Sequence, residues 1–420
     1  MINSLKKRQR PRFIDNIYRS DIKVGRFLSV LVLFGISYGL YRGVQDNYLA
    51  EIIHITPFER GIVEFFREMP GLLLILILAL MYRFADSKIF KIGVAIMAGG
   101  LTGLLLTSTS PLLMTKIFVV IFMVLFSTGE HIIMPVRTTI AMDLAKHEKA
   151  GASLGIANSI SQLGNITGFL FVTVIFLILG KMGFNRTDIF GYRIVFAMAA
   201  ALITTAALVA SALKETTLKS ERRRFYFAKK FRKFYMLEIF YGARKQIFLT
   251  FAPYVLILQY GADPSIMSAL YAVCACFGMI FSPLIGRIID KLGYKVVMVA
   301  DTLILIVVCL LYGFAHRLFP IEIAFIVVCV NFVLDSIISI ASMASNIYVK
   351  SVASNQEEVT ATLSTGISVN HIISIFIALM GGWIWKVTGI ETLFTLSAAL
   401  GLINSIYAMT IKKEEEHKEG

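Results

Sequence analysis

Residues 286–295 read GRIIDKLGYK. Long apolar runs flank this decapeptide on both sides, so it is expected to form a tight polar turn between two membrane helices. A helix needs about 20 mainly apolar residues to span a bilayer. Outward from the decapeptide the chain offers twelve such runs: 27–53, 58–82, 89–106, 112–141, 151–180, 189–213, 234–260, 265–286, 296–314, 321–348, 359–384 and 392–411. These are spans 1 to 12. The fold class they predict is an all-α membrane protein.

Composition agrees. The chain is 57% hydrophobic and 16% charged, with a mean hydropathy of +0.75. Soluble domains carry about 25% charged residues, and none could hide this much apolar surface. The net charge of +14 raises a nucleic-acid reading, but the basic residues crowd alternate loops, as cytoplasmic loops of membrane proteins do. No nucleic acid is therefore expected. Both termini are placed in the cytoplasm, and the plasma (bacterial inner) membrane is the expected site. The arm 1–26, with Lys6, Lys7, Arg8, Arg10 and Arg12, is too long and polar to begin an ordinary secretory signal. Cys274, Cys276, Cys309 and Cys329 all lie in apolar runs and are expected to pack in the core. Neither a disulfide framework nor a metal-ligand spacing is present.

The segment 214–233 divides the chain. It holds nine basic residues against two acidic ones, interleaved with Phe225, Tyr226, Phe227 and Phe231. This suggests an amphipathic helix on the anionic inner leaflet. On either side lie six spans, 27–213 and 234–411, followed by a tail, 412–420. The halves look duplicated. Tyr38-Gly39-Leu40-Tyr41-Arg42 matches Tyr241-Gly242-Ala243-Arg244-Lys245. His147-Glu148-Lys149 matches Gln356-Glu357-Glu358, and the stretch from Asp86 to Lys91 is a worn copy of Asp290 to Lys295. Tyr82 and Ile89 stand there where the better copy has glycines.

The pattern Gly-x-x-x-Asp-Lys-x-Gly-x-Lys resembles the signature loop of the major facilitator superfamily of secondary transporters. The resemblance implies two pseudo-symmetric six-helix bundles working by alternating access, with spans 3, 6, 9 and 12 as outer supports. It also implies that the loop clamps the halves in one access state, with span 11 as partner. The expected gating residues are Gly286, Arg287, Asp290, Lys291, Gly293, Lys295 and, in the worn copy, Asp86. Gly286 would allow close helix approach and Gly293 a tight turn. The stronger latch is expected on the C-terminal side.

Charges inside membrane helices are costly and usually face a cavity or a partner. At about 1.5 Å per residue, Arg42 reaches the level of Glu68, and Asp46 that of Arg67; these two pairs are expected, with Glu64 nearby. Glu130 and His131 of span 4, Asp335 of span 10, Arg244 and Lys245 of span 7, and Asn370 and His371 of span 11 lie near mid-membrane. Asn158, Gln162 and Asn165 recur at i, i+4 and i+7 on span 5 and form a polar stripe. Each of these residues reads equally as a structural partner. Burial favours the protonated form of a carboxylate, and Glu130 is the first candidate for taking up a proton, then Asp335 and Glu68. His131 has no second ligand at helical spacing, so no metal is expected. Gly151-x-x-x-Gly155 and Gly164-x-x-x-Gly168 would permit close packing of span 5. The Gly-Pro pair of drug-proton antiporters is absent from that span.

Neither a phosphate-binding loop nor a nucleophile elbow is present, so the chain is not read as an enzyme, and no cofactor is expected. The expected function is proton-coupled secondary transport of a small polar solute, anionic or zwitterionic, by a monomer. Two alternatives stand beside it: efflux of amphipathic, drug-like or lipid-like compounds, and a non-transporting sensor or scaffold with the same fold.

Overall fold

The computed structural model describes residues 16–18, 22–107, 112–213 and 226–411. Most of the arm 1–26, residues 108–111, residues 214–225 of the linker and the tail 412–420 lie outside them. Twelve crossings form. Span 1 is the helix Ile22–Asn47 continued by a π turn, Tyr48–Ile52. Span 2 is two helices, Pro57–Leu72 and Leu74–Leu80. Spans 3 to 6 are Asp86–Leu106, Leu113–Asp143, Ala150–Lys181 and Ile189–Ser211. Spans 7 to 9 are Arg232–Tyr260, Pro264–Leu292 and Tyr294–Leu318. Span 10 joins Ile321–Ser339 to Met343–Val352 through a 3-10 turn, and spans 11 and 12 are Gln356–Thr388 and Ile390–Met409. Among the described residues, 10 helices are long and apolar enough to cross a membrane on their own. The exceptions, spans 2 and 7, carry most of the charge described below.

Local chemistry sets several boundaries. Thr56 and Glu59 close a capping box ahead of span 2, with Pro57 in its first turn. Asp263 caps span 8 by accepting from the Ser265 and Ile266 amides at 2.8 and 3.0 Å. Pro70 supplies no amide hydrogen, and span 2 breaks just beyond it, at Leu73.

The decapeptide is not the turn its composition suggests. Span 8 runs on through Gly286, Arg287, Asp290 and Lys291 to Leu292, and Gly293 alone separates it from span 9. Gly293 has φ +83°, which explains a glycine there. A Cβ placed on Gly286 would meet nothing within 4 Å, so the close approach expected of this glycine does not occur. The expected amphipathic helix of the linker falls largely on residues 214–225, outside the described residues. The linker's described end is a 3-10 turn, Lys229–Phe231, leading straight into span 7. Tyr226 and Lys230 both bond Glu358 of span 11, each at 2.6 Å, so this end docks on protein. Phe231 is buried, while Phe227 stays exposed.

Glycines set the packing inside the first half. A Cβ on Gly39 would lie 2.2 Å from the Asn165 carbonyl oxygen, and one on Gly164 would lie 2.9 Å from the Gly35 Cα. Gly164 and Gly168 thus seat span 5 on span 1, as expected. Gly151 and Gly155 meet nothing within 4 Å, so that second motif packs no helix. The outward faces carry exposed Leu80, Leu106, Leu208 and Ile326, which suits contact with lipid chains. Cys309 is buried as expected, but Cys276 is exposed.

The two six-helix bundles meet most closely at the end opposite the termini, here called the far end. Span 2 lies against span 11 with almost no space between backbones: a Cβ on Gly61 would sit 2.3 Å from the Ala378 carbonyl oxygen. Span 5 meets span 8 through Thr173, which donates to the Ser265 carbonyl at 3.3 Å. Asn47 donates to the Ala262 carbonyl at 2.9 Å, and Arg186 to that of Gly261.

Candidate functional site: a charge ladder above a central cavity

Arg60, Glu64, Arg67 and Glu68 recur at i, i+4, i+7 and i+8 along span 2, so one helix face carries all four. Asp46 of span 1 extends the row. Arg60 bonds Asp46 at 3.0 Å and Glu64 at 2.8 Å. Arg67 bonds Glu64 at 2.7 Å and also pairs with Glu68. Arg60 and Glu64 have no exposure to solvent, and Asp46 and Glu68 very little. Buried charges survive only when paired and hydrogen-bonded, and here each is both.

The second half completes the row with one donor per carboxylate. Tyr271 of span 8 donates its hydroxyl to Asp46 at 2.7 Å. Gln246 of span 7 donates to Glu64 at 3.0 Å. His371 of span 11 donates Nδ1–H to Glu68 at 2.9 Å. The Arg60 guanidinium also lies over the Tyr254 ring, 5.7 Å from its centre. The ladder therefore belongs to the closed far end, and its upper rungs are sealed.

The expected pairs Arg42–Glu68 and Asp46–Arg67 do not form. Arg42 bonds Gln45 at 2.8 Å instead. Asp46 meets Arg60 of span 2, two turns before Arg67. Arg60 was missed because it follows Pro57 by three residues, where an arginine reads as a membrane-surface charge.

Below the ladder lies a cavity of about 400 Å³. Arg42, Arg67 and Lys245 line it, as do Glu68, Glu130 and Glu238, with His131, Asn370 and His371. Lys245 is exposed to this space and makes no ion pair with any described residue. Glu238 accepts from Ser345 at 3.2 Å and from Asn370 at 3.3 Å. Sequence reasoning missed Glu238, although Glu238, Tyr241 and Lys245 stand at i, i+3 and i+7 and share one face of span 7. A second cavity of about 320 Å³ adjoins the first at Tyr38, Glu130 and Met134. Asn158, Gln162 and Asn165 line it as the predicted stripe, facing Glu130 and Arg137. No lining residue of either cavity comes from spans 3, 6, 9 or 12.

Two six-helix halves thus enclose a polar midplane space, and the sequence comparison divides the chain the same way. The model of the Major Facilitator Superfamily matches residues 27–242 and again residues 234–420. The chain belongs to the major facilitator superfamily. No curated protein matches it in sequence. Solved structures of this superfamily type share its fold. The nucleoside transporter NupG superposes with a TM-score of 0.72 at 12% identity, covering 93% of this chain and 100% of that one. A D-xylose-proton symporter gives 0.71 at 14% identity, with 94% and 98% covered. A bacterial homolog of the human lysosomal transporter Spinster, inward-facing and occupied, gives 0.67 at 16%, with 93% and 96% covered. At such identities the likeness concerns the fold alone. Together with the family match it makes the chain a multi-pass membrane transporter.

Within this superfamily member the signature loop is unclamped. Asp290, Arg287 and Lys291 are exposed. The worn copy behaves oppositely: Asp86 is 2% exposed and occupies the first turn of span 3, where the helix dipole favours a carboxylate. In this state the aspartate on the N-terminal side is buried and the one on the C-terminal side is exposed. Arg244 and Asp335 also lie apart from the cavity lining. Arg244 bonds Asp335 at 3.2 Å and Asp301 of span 9 at 3.6 Å, a cluster internal to the second half.

His131 gains the partners its own helix lacks. Its ring lies 5.2 Å from that of His371, centre to centre. One ligand atom each from Glu68, His131 and His371 falls within 4.8 Å of the others. The three residues come from spans 2, 4 and 11, which no spacing within one helix reveals.

Proposed function

We propose that this transporter is a proton-coupled secondary carrier of a small polar organic solute, anionic or zwitterionic, and that it works by alternating access. The observation that carries the reading is Lys245, a cation that faces the central cavity with no described carboxylate paired to it. An anionic group on the solute supplies the missing partner. Glu130 and Glu238 share the cavity and suit the cationic end of a zwitterion. A volume of about 400 Å³ fits a metabolite-sized molecule. Glu130 lines both cavities and remains the first candidate for the coupled proton, whereas Asp335 is held by Arg244.

In this reading the termini are cytoplasmic, the far end faces outward, and the ladder forms the closed outer gate. The test is counterflow in proteoliposomes with an imposed pH gradient, over a panel of anionic and zwitterionic metabolites. Flux that ignores both the gradient and Glu130→Gln sinks the coupling. Flux unchanged by Lys245→Ala sinks the solute class.

One feature favours amphipathic efflux as a second reading. A groove of about 680 Å³ lies between spans 2 and 4, lined by apolar residues such as Ile62, Phe66, Ile117 and Ile121. Lys116 and Glu59, paired at 2.8 Å, also line it. Gradient-driven export of an amphipathic dye that survives Lys245→Ala would support this reading over the first.

A further inference from the structure

We propose that Glu68, His131 and His371 form a binding site for a divalent transition-metal ion of the zinc class. The inference stands apart from the organic solute and its coupling.

Two imidazoles and one carboxylate suit zinc and its first-row neighbours and disfavour magnesium or calcium, which prefer all-oxygen sites. The ligand atoms already lie within 4.8 Å of one another. Nitrogen and oxygen ligands sit about 2.0–2.2 Å from zinc, so closure onto an ion asks only for small side-chain shifts. His131 is prepared for this. Its Nδ1 lies 2.8 Å from the Ser127 carbonyl oxygen, which can only accept, so that nitrogen carries the proton. Nε2 is left with its lone pair free, the arrangement usual for a ligating histidine. Ser127 is itself fixed by donating to the Arg67 carbonyl at 2.6 Å.

Space is reserved as well. A Cβ on Gly71 would fall 2.7 Å from His131 Nε2 and 2.8 Å from His371 Cε1, so only glycine there admits both rings. Charge also agrees. The ladder of Asp46, Arg60, Glu64, Arg67 and Glu68 holds three carboxylates and two guanidiniums. Its lower end, the Glu68 carboxylate, lies against the two imidazoles. Arg67 occupies Oε1 of Glu68, and Oε2 is the atom turned to His371. A metal between Oε2 and Nδ1 takes the place of the proton that now joins them, and that proton is released.

The site has a mechanical consequence. Glu68 and His131 belong to the first half and His371 to the second, so the full ligand set exists only while the far end is closed. Bound metal pins that state. The three ligands border the central cavity, which leaves further coordination positions to water or to a solute donor.

The experiment uses the full-length chain, free of any histidine tag and stripped with chelator, in lipid nanodiscs. Equilibrium dialysis against zinc is expected to load one equivalent saturably, with no comparable uptake of magnesium. His131→Ala and His371→Ala are each expected to weaken zinc binding by at least about tenfold, and the double variant to abolish the site. Zinc is also expected to narrow the spread of spin-label distances between positions 182 and 318 toward the far-closed value. Zinc held equally well by the double variant overturns the proposal. X-ray absorption of the zinc-loaded wild type needs no variant and is expected to show two imidazole ligands; one or none also overturns it.

Discussion

His371 and Glu68 join the two halves of the transporter at 2.9 Å, histidine donor to buried carboxylate, at the point where the closed far end gives way to the central cavity. The same carboxylate is held from its own half by Arg67. This contact is thus both the lowest rung of the gate and part of the cavity wall. A hydrogen bond to a charged group contributes about 1.5–3 kcal/mol. His371→Phe is therefore expected to shift the population toward the far-open state by about tenfold or more. Spin labels at the exposed far-end positions 182 and 318 should report the longer distance; an unchanged distribution would remove His371 from the gate.

Arg60 is the most deeply committed cation among the described residues, paired with Asp46 and Glu64 and shut off from solvent. Removing one partner of a buried pair costs about 3–5 kcal/mol because the other charge is stranded. Arg60→Ala takes the ion-pair partner from Asp46 and leaves Glu64 with Arg67 alone, and is expected to lower the melting temperature of the purified protein sharply. Lys245→Ala breaks no ion pair among the described residues and should melt like the wild type while losing solute binding.

Gly61 faces the Ala378 carbonyl with no room for a methyl group. Gly61→Ala is expected to prop the far end open and leave the fold intact. Accessibility of a single cysteine placed at position 57 to a membrane-impermeant reagent should rise. If it does not, the approach of spans 2 and 11 is not what closes this end.

Asp290 is exposed here, so Asp290→Ala should leave solute affinity in the far-closed state unchanged. Its effect is expected in the opposite state, as slower exchange in counterflow. Asp86 is buried at a helix start, and Asp86→Ala should reduce stability in the present state as well. Equal losses of stability from the two variants would contradict this difference.

The architecture was legible because lipid leaves little choice: long apolar runs must be helices, and the resemblance of the decapeptide implied which spans line the cavity and which support them. The cavity stripe of Asn158, Gln162 and Asn165 was legible because a single helix sets its spacing. What sequence could not supply was the partner choice of each charge. Depth counted along an ideal helix placed Asp46 opposite Arg67, but it pairs with Arg60, two turns away. Contacts made by three helices, such as Glu68, His131 and His371, leave no spacing to read. The decapeptide was misplaced for a related reason: its charges suggest a loop, but a single glycine with φ +83° suffices to turn the chain, so the rest stays helical.

The ion pairs of Arg60, Arg67, Lys116, Arg186, Arg244 and Arg317 each stay within one half, and that of Lys230 ties the linker to the second. The hydrogen bonds that cross the seam at the ladder come instead from a phenol, an amide and an imidazole. When the halves rock, the ladder's charged pairs travel as intact units within the first half. Moving a whole charge through the membrane potential is worth about 2.3 kcal/mol per 100 mV. The ladder is therefore expected to add little to any voltage dependence of the empty carrier, whose cavity holds the unpaired Lys245. An electrical signature, where one is recorded, then belongs to the cavity charges, Lys245 among them, and to the cargo that meets them.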